Sequence, residues 1–128
     1  MPTITLVYDL PFVSVVVHGR NGKTLILNHV LIDTGSGGSA FKTDDMEKID
    51  IIPDDDDMPA TMSGVGGEEY VLDKQINALQ IGDMIVSPMT IQMGALDYGF
   101  EMDGIVGADF LLQAKAIIDF SSLEIRKG

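Results

Sequence analysis

The apolar and polar positions of this chain alternate with the short period of strands rather than the longer one of helices. Thr3 to Tyr8 is β-branched and apolar and predicts a first strand. Pro11 to His18 predicts a second, stronger one, with proline tolerated at its first position. Gly19-Arg20-Asn21-Gly22 predicts a hairpin turn, because Asn-Gly readily takes the positive φ values of a type I′ turn. Lys23 to Leu27 returns as a strand, and Asn28 to Asp33 follows as another. A glycine-rich loop comes next, and then Asp44-Asp45-Met46-Glu47-Lys48 opens a short helix. Asp44 and Glu47 are spaced as a capping box, acidic residues suit a helix N-terminus, and Pro53 lies just past the end.

The second half repeats the β pattern. Thr61 to Val71 predicts a hairpin with a glycine-rich tip at Gly64-Val65-Gly66-Gly67. Gln75 to Ile81 and Met84 to Met93 predict another strand pair around Gly82-Asp83. A loop over Asp97 to Met102 leads into Asp103-Gly104-Ile105-Val106-Gly107, and Ala108 to Gln113 makes one or two helical turns. Ala116 to Phe120 and Leu123 to Arg126 close the chain as a hairpin through Ser121-Ser122. The expectation is one mainly β domain over residues 1–128, carrying one or two short helices.

Charge and composition then exclude whole classes of function. Eight basic against twenty acidic residues give a formal charge of −12, which repels nucleic acid. No basic amphipathic stretch suggests an anionic membrane surface, and no apolar run is long enough to span a bilayer. The 45% hydrophobic fraction and positive mean hydropathy are high for so acidic a chain, so either the core is generous or a partner covers apolar surface. There is no cysteine, which removes disulfides, thiolate metal sites and a thiol nucleophile. Met1-Pro2-Thr3 has no basic n-region, and Asp9 and Pro11 interrupt the apolar run, so the expectation is a cytoplasmic protein.

His18 and His29 lack metal-ligand spacing, and Asp54-Asp55-Asp56-Asp57 lacks the alternation and the glycine of a calcium loop, so the first pair reads as rim histidines and the run as a solvated connection. No metal and no cofactor is expected. Gly35-Ser36-Gly37-Gly38-Ser39-Ala40 satisfies a dinucleotide-binding pattern after a strand, but no parallel strand–helix–strand unit follows. No Gly-Lys-Ser/Thr completes a phosphate loop, and Ser36 and Ser39 do not sit in a nucleophile elbow. Carboxylate chemistry remains. The apolar run Val30-Leu31-Ile32 puts Asp33 at a strand's end, beside three glycines in four positions.

Leu31-Ile32-Asp33-Thr34-Gly35-Ser36 resembles the active-site motif of the aspartic proteases, and Gly104-Ile105-Val106-Gly107-Ala108-Asp109-Phe110-Leu111 resembles the second signature of that family. The glycine hairpin lies between them, where the family carries its substrate-covering flap, and the terminal hairpin also fits. The resemblance covers nearly the whole chain and is to the retropepsin-like, single-domain members. It implies a closed β-barrel of the acid-protease kind that forms a two-fold homodimer. It further implies an endopeptidase acting on a peptide or protein substrate.

Such chemistry needs two carboxylates sharing a proton, and this sequence holds one Asp-Thr-Gly. The resemblance therefore implies that Asp33 meets Asp33 of a second copy across an isologous interface. It implies that Thr34 grips the opposite loop, that Gly35 presents its amide to the carboxylate, and that Ser36 hydrogen-bonds the outer carboxylate oxygen. Gly64, Val65, Gly66 and Gly67 are implied to close over an extended peptide by main-chain hydrogen bonds. Asp103, Asp109 and Asp119 are expected to be structural. Gly37-Gly38 stands where the family carries bulkier residues, and Tyr70 lies on the descending arm of the hairpin rather than at a flap position. A non-catalytic member that binds peptides or dimerises is the alternative.

Overall fold

A computed structural model of the protein describes residues 2–64, 67–97 and 99–128. Strands β1 (Thr5–Val7), β2 (Leu10–His18) and β3 (Thr24–Ile32) open the chain as an antiparallel meander. The turn into β3 is as the sequence predicts: Asn21 and Gly22 have φ of 57° and 73°, and Lys23 N–H closes on Arg20 O at 3.0 Å. Two expectations need correction here. Tyr8 is not strand but, with Asp9, the two-residue turn between β1 and β2, both residues at positive φ. Lys23–Leu27 and Asn28–Asp33 are not two strands but the single β3. The polar Asn28 that suggested a break is absorbed by a bulge, where the register against β2 slips between Val13 and Val15. The Ser14 hydroxyl donates to Asn28 Oδ1 across it, at 3.1 Å.

Strand β4 (Ala40–Lys42) leads into α1 (Thr43–Glu47). The expected capping box is absent: Lys42 is the N-cap residue and no side chain caps the helix, because α1 begins one residue before Asp44. The flap-like hairpin is β5 (Pro59–Gly64) and β6 (Gly67–Ile76), in register from Pro59 opposite Leu72 to Gly64 opposite Gly67. Strands β7 (Ala78–Ile81), β8 (Met84–Val86) and β9 (Met89–Gly94) follow, the last two divided at Pro88, which has no N–H to continue a ladder. Then come β10 (Gly104–Val106), α2 (Ala108–Ala114), and the hairpin β11 (Ala116–Asp119) with β12 (Glu124–Lys127).

One ten-stranded sheet runs in the order β5-β6-β9-β4-β10-β3-β2-β7-β8, with β1 added to β2; β11 and β12 form a sheet of their own. Its path ends at β5 and β8, so this chain builds a curled sheet and not the closed ladder expected of a barrel. The N-terminus joins the small sheet, with Ile4 N–H bonded to Leu123 O at 2.8 Å. Among the described residues no helix is long and apolar enough to cross a membrane.

The alternation along β3 sorts its side chains into two apolar clusters. Val30 and Ile32 join the main core with Val13, Val15, Phe41, Val106 and Phe110, while Leu31 joins a smaller cluster with Phe12, Ala40, Val71, Met102 and Ile105. Carried one step past the strand, the same period puts Asp33 on the face of the smaller cluster. Val71 of β6 brings the root of the flap-like hairpin to that face as well.

Candidate active site

The chain is wound so that Asp33 cannot drift. Strand β10 is parallel to β3 (Leu31 opposite Ile105) and antiparallel to β4 (Ile105 opposite Ala40), so it lies between two strands that are consecutive in sequence. The Asp33–Ser39 loop must therefore pass over the C-terminal end of β10. Three backbone bonds fix it there: Asp33 N–H to Val106 O at 2.9 Å, Ala108 N–H to Ser36 O at 2.7 Å, and Ser36 N–H to Asp33 O at 3.1 Å.

A side-chain lock backs these. Ser39 is fully buried. Its hydroxyl accepts from Gly107 N–H at 3.0 Å and donates to Asp109 Oδ1 at 2.7 Å, while its own N–H donates to Asp109 Oδ2 at 3.0 Å. Phe110 N–H gives Asp109 Oδ1 a further donor at 2.8 Å. The approach at Gly107 leaves no space for a side chain: a Cβ there would stand 2.6 Å from Ser36 O and 2.7 Å from Gly38 O. Asp109 is thus structural, as the sequence suggests, and the second glycine signature acts as the seat of the first.

Above this seat the Asp33 carboxylate is half-buried, with Thr34 and Gly35 exposed on its outer side. Gly35 N–H donates to Asp33 Oδ1 at 3.0 Å. Ser36 differs from its expected role, since its hydroxyl proton goes to Gly38 O at 2.8 Å and not to Asp33. The short Gly37-Gly38 stretch lets the loop fold back far enough for that contact. Among the described residues no intrachain partner takes the Thr34 hydroxyl.

Gly64 and Gly67 face each other as the last pair of the β5–β6 hairpin. Val65 and Gly66, assigned with them to substrate covering, lie outside the described residues. Tyr70 is exposed on β6, opposite Thr61.

Two further carboxylates are tied within the chain. Asp103 Oδ2 accepts His29 N–H at 3.1 Å and its own N–H donates to His29 O at 2.7 Å, tying the strand into β10 to β3. Asp119 Oδ1 accepts Ser121 and Ser122 N–H at the terminal turn, and Arg126 reaches Oδ2 at 3.1 Å. The Ser122 N–H and then the Arg126 guanidinium hold the Asp119 carboxyl below its usual range.

The aspartate run needs a partial correction. Asp54, Asp55 and Asp56 are exposed, as expected of a solvated connection, but the run also closes on the buried Lys74 of β6, whose ammonium reaches Asp57 Oδ1 at 2.8 Å and Asp54 Oδ2 at 3.3 Å. The hydrogen bond with Asp57 raises Lys74 against its burial, and Lys74, with the Asp54 N–H, lowers Asp57. This pair ties the approach to β5 onto β6, at the base of the flap-like hairpin. A lone lysine in a β pattern beside a dense acidic run was the one signal for it in the sequence.

His18 bonds Gln80 at 2.7 Å and His29 stacks on Phe12, with centroids 3.8 Å apart and planes 8° from parallel. Among the described residues no three acidic or histidine side chains gather as a metal site. In comparison with protein families, the model of a family described as aspartyl protease matches residues 13–110. That span runs from β2 through the Asp33 loop, the hairpin and β10 into α2. None of the curated proteins matches the chain.

Proposed function

The chain belongs to the aspartyl protease family, and from that premise we propose that it is an endopeptidase whose active centre forms when two copies bring their Asp33 loops together. One observation supports this above the others. The Asp33 carboxylate accepts the Gly35 N–H at the edge of a loop pinned by backbone bonds, with Thr34 and Gly35 exposed beside it and no second Asp-Thr-Gly in the sequence. Such a loop is half of a two-fold site. Thr34, without an intrachain partner among the described residues, is suited to reach the opposing loop.

In this reading the two Asp33 carboxyls share one proton, because like charges so close do not both ionise cheaply. The ionised one takes a proton from a water lying between them, and the water oxygen bonds to the scissile carbonyl carbon. The protonated one gives its proton to the carbonyl oxygen. The tetrahedral intermediate then breaks its C–N bond as a proton passes to the leaving nitrogen. The pair titrates as one unit. The β5–β6 hairpin offers main-chain groups to an extended substrate, and the Lys74–Asp57 pair at its base keeps that arm in place.

The test is Asp33→Asn, with peptide cleavage followed by mass spectrometry across acidic and neutral pH and the association state followed by sedimentation. The wild type should cleave and self-associate, and the variant should self-associate without cleaving. Cleavage that survives the substitution sinks the assignment. A wild type that cleaves nothing and binds no pepstatin-like inhibitor gives the place to the non-catalytic peptide-binding alternative.

A further inference from the structure

A cavity of about 470 Å³ is lined by Val7, Tyr8, Leu10, Phe12, His29, Phe100 and Glu101. Its volume is that of an ordinary ligand site. Its place follows from strand period. His29, Leu31 and Asp33 fall on one face of β3, and Phe12 is the cross-strand partner of Leu31. The Phe12–His29 stack thus forms a floor that starts on the Asp33 face of the sheet. Phe12 therefore lies two strand positions short of the level of Asp33, about 6.6 Å of rise, and His29 four positions short, about 13 Å.

The mouth is more telling than the floor. Tyr8 is 95% exposed, and Leu10 and Phe100 are also open to solvent. Tyr8 has φ of 51°. A two-residue turn with positive φ at both positions is built at least strain by Asn, Asp or Gly, and Asp9 conforms while Tyr8 does not. The chain thus holds a large ring at a strained position where it packs against almost nothing. Strain kept without packing gain points to a function for the ring.

The chemistry of the walls names what enters. Two aliphatic and three aromatic side chains with one imidazole form an apolar sleeve, and among the described residues that line it Glu101 is the one charged side chain. Among them is no lysine or arginine, and the whole chain carries −12. Glu101 is exposed at the rim, where a cationic end can meet it without either charge being buried. A long side chain with an apolar stem and a cationic end satisfies every wall: the stem lies along Val7 and Leu10, the cation meets the faces of Tyr8 or Phe100, and Glu101 takes the charge.

Resting on the peptidase reading above, we propose that this cavity is a substrate subsite selecting lysine or arginine, with Tyr8 and Glu101 as its specificity-determining residues. The preference over an uncharged side chain of equal length is about tenfold, from one cation–aromatic contact and one partly exposed charge pair.

The test uses a defined set of labelled peptides, identical except for lysine or norleucine at each position in turn. Cleavage is read with the wild type, and binding by fluorescence anisotropy with Asp33→Asn. At one position lysine should win by about tenfold in both, and Glu101→Gln should remove most of that margin. Raised salt should narrow it too. Norleucine matching lysine at every position overturns the subsite even if peptides are cleaved, and so does a lysine preference that survives both Glu101→Gln and Tyr8→Gly. A lysine preference in binding with no cleavage by the wild type overturns the peptidase reading and leaves the subsite standing.

Discussion

Ser39→Ala tests the seat of the Asp33 loop. The substitution removes one oxygen from a site with no solvent access. Gly107 N–H then loses its acceptor at 3.0 Å, and Asp109 Oδ1 loses the donor at 2.7 Å but keeps Phe110 N–H at 2.8 Å. A buried N–H without a partner costs about 1–3 kcal/mol, and a lost hydrogen bond to a carboxylate about as much again at the lower end. The sum is about 3 kcal/mol, a sizeable part of the roughly 5–15 kcal/mol a domain has. Urea unfolding should show the midpoint falling with an unchanged slope, and Tm should drop by about 10 °C. A double-mutant cycle with Asp109→Asn should return a coupling of about 1–2 kcal/mol, since the two share the lock. A loss under about 0.5 kcal/mol, or additive effects, would show that the backbone bonds alone hold the loop and would refute the argument.

Gly107→Ala pushes a methyl against Ser36 O and Gly38 O and should cost about 1–3 kcal/mol by the same unfolding measurement. Tyr8→Gly relieves the left-handed strain and, after glycine's own entropy cost, should raise stability by about 0.5–1 kcal/mol while weakening the binding of lysine-bearing peptides. The pH dependence has two limbs. Asp57 and Asp119 are lowered in the folded chain, so their contribution is present above the ordinary aspartate range and is lost as pH falls through their folded values. Lys74 is raised, so its contribution is present below the ordinary lysine range and is lost as pH rises through its folded value. Stability followed by unfolding should therefore be level between these ranges, and Lys74→Met should remove the alkaline limb and reduce the acid limb by the Asp57 share while leaving that of Asp119; an unchanged profile in that variant would show that the Lys74–Asp57 pair governs neither.

What the sequence determined is what depends on neighbours in the chain. Period-two patterning located most of the strands, Asn21-Gly22 defined its turn, and Val30-Leu31-Ile32-Asp33-Thr34-Gly35 delivered a carboxylate to a strand end, because each rests on local backbone preference. The family, too, was legible in the order of the two glycine signatures. Local reasoning failed where a distant segment intervened. Residues 23–33 read as two strands until the bulge opposite β2 joined them, and the acidic run Asp54–Asp57 did not by itself show that Asp57 would turn in to Lys74 of β6. Ser36 was matched by motif to Asp33, yet its hydroxyl turns to Gly38. Tyr8 read as strand because it is aromatic and follows Val7; only the register of β1 on β2 made it a turn and opened a cavity behind it. The sequence places one aspartate at a loop, and tertiary packing alone decides what surrounds it, since burial, buried ion pairs and cavity walls are made by residues far apart in the chain.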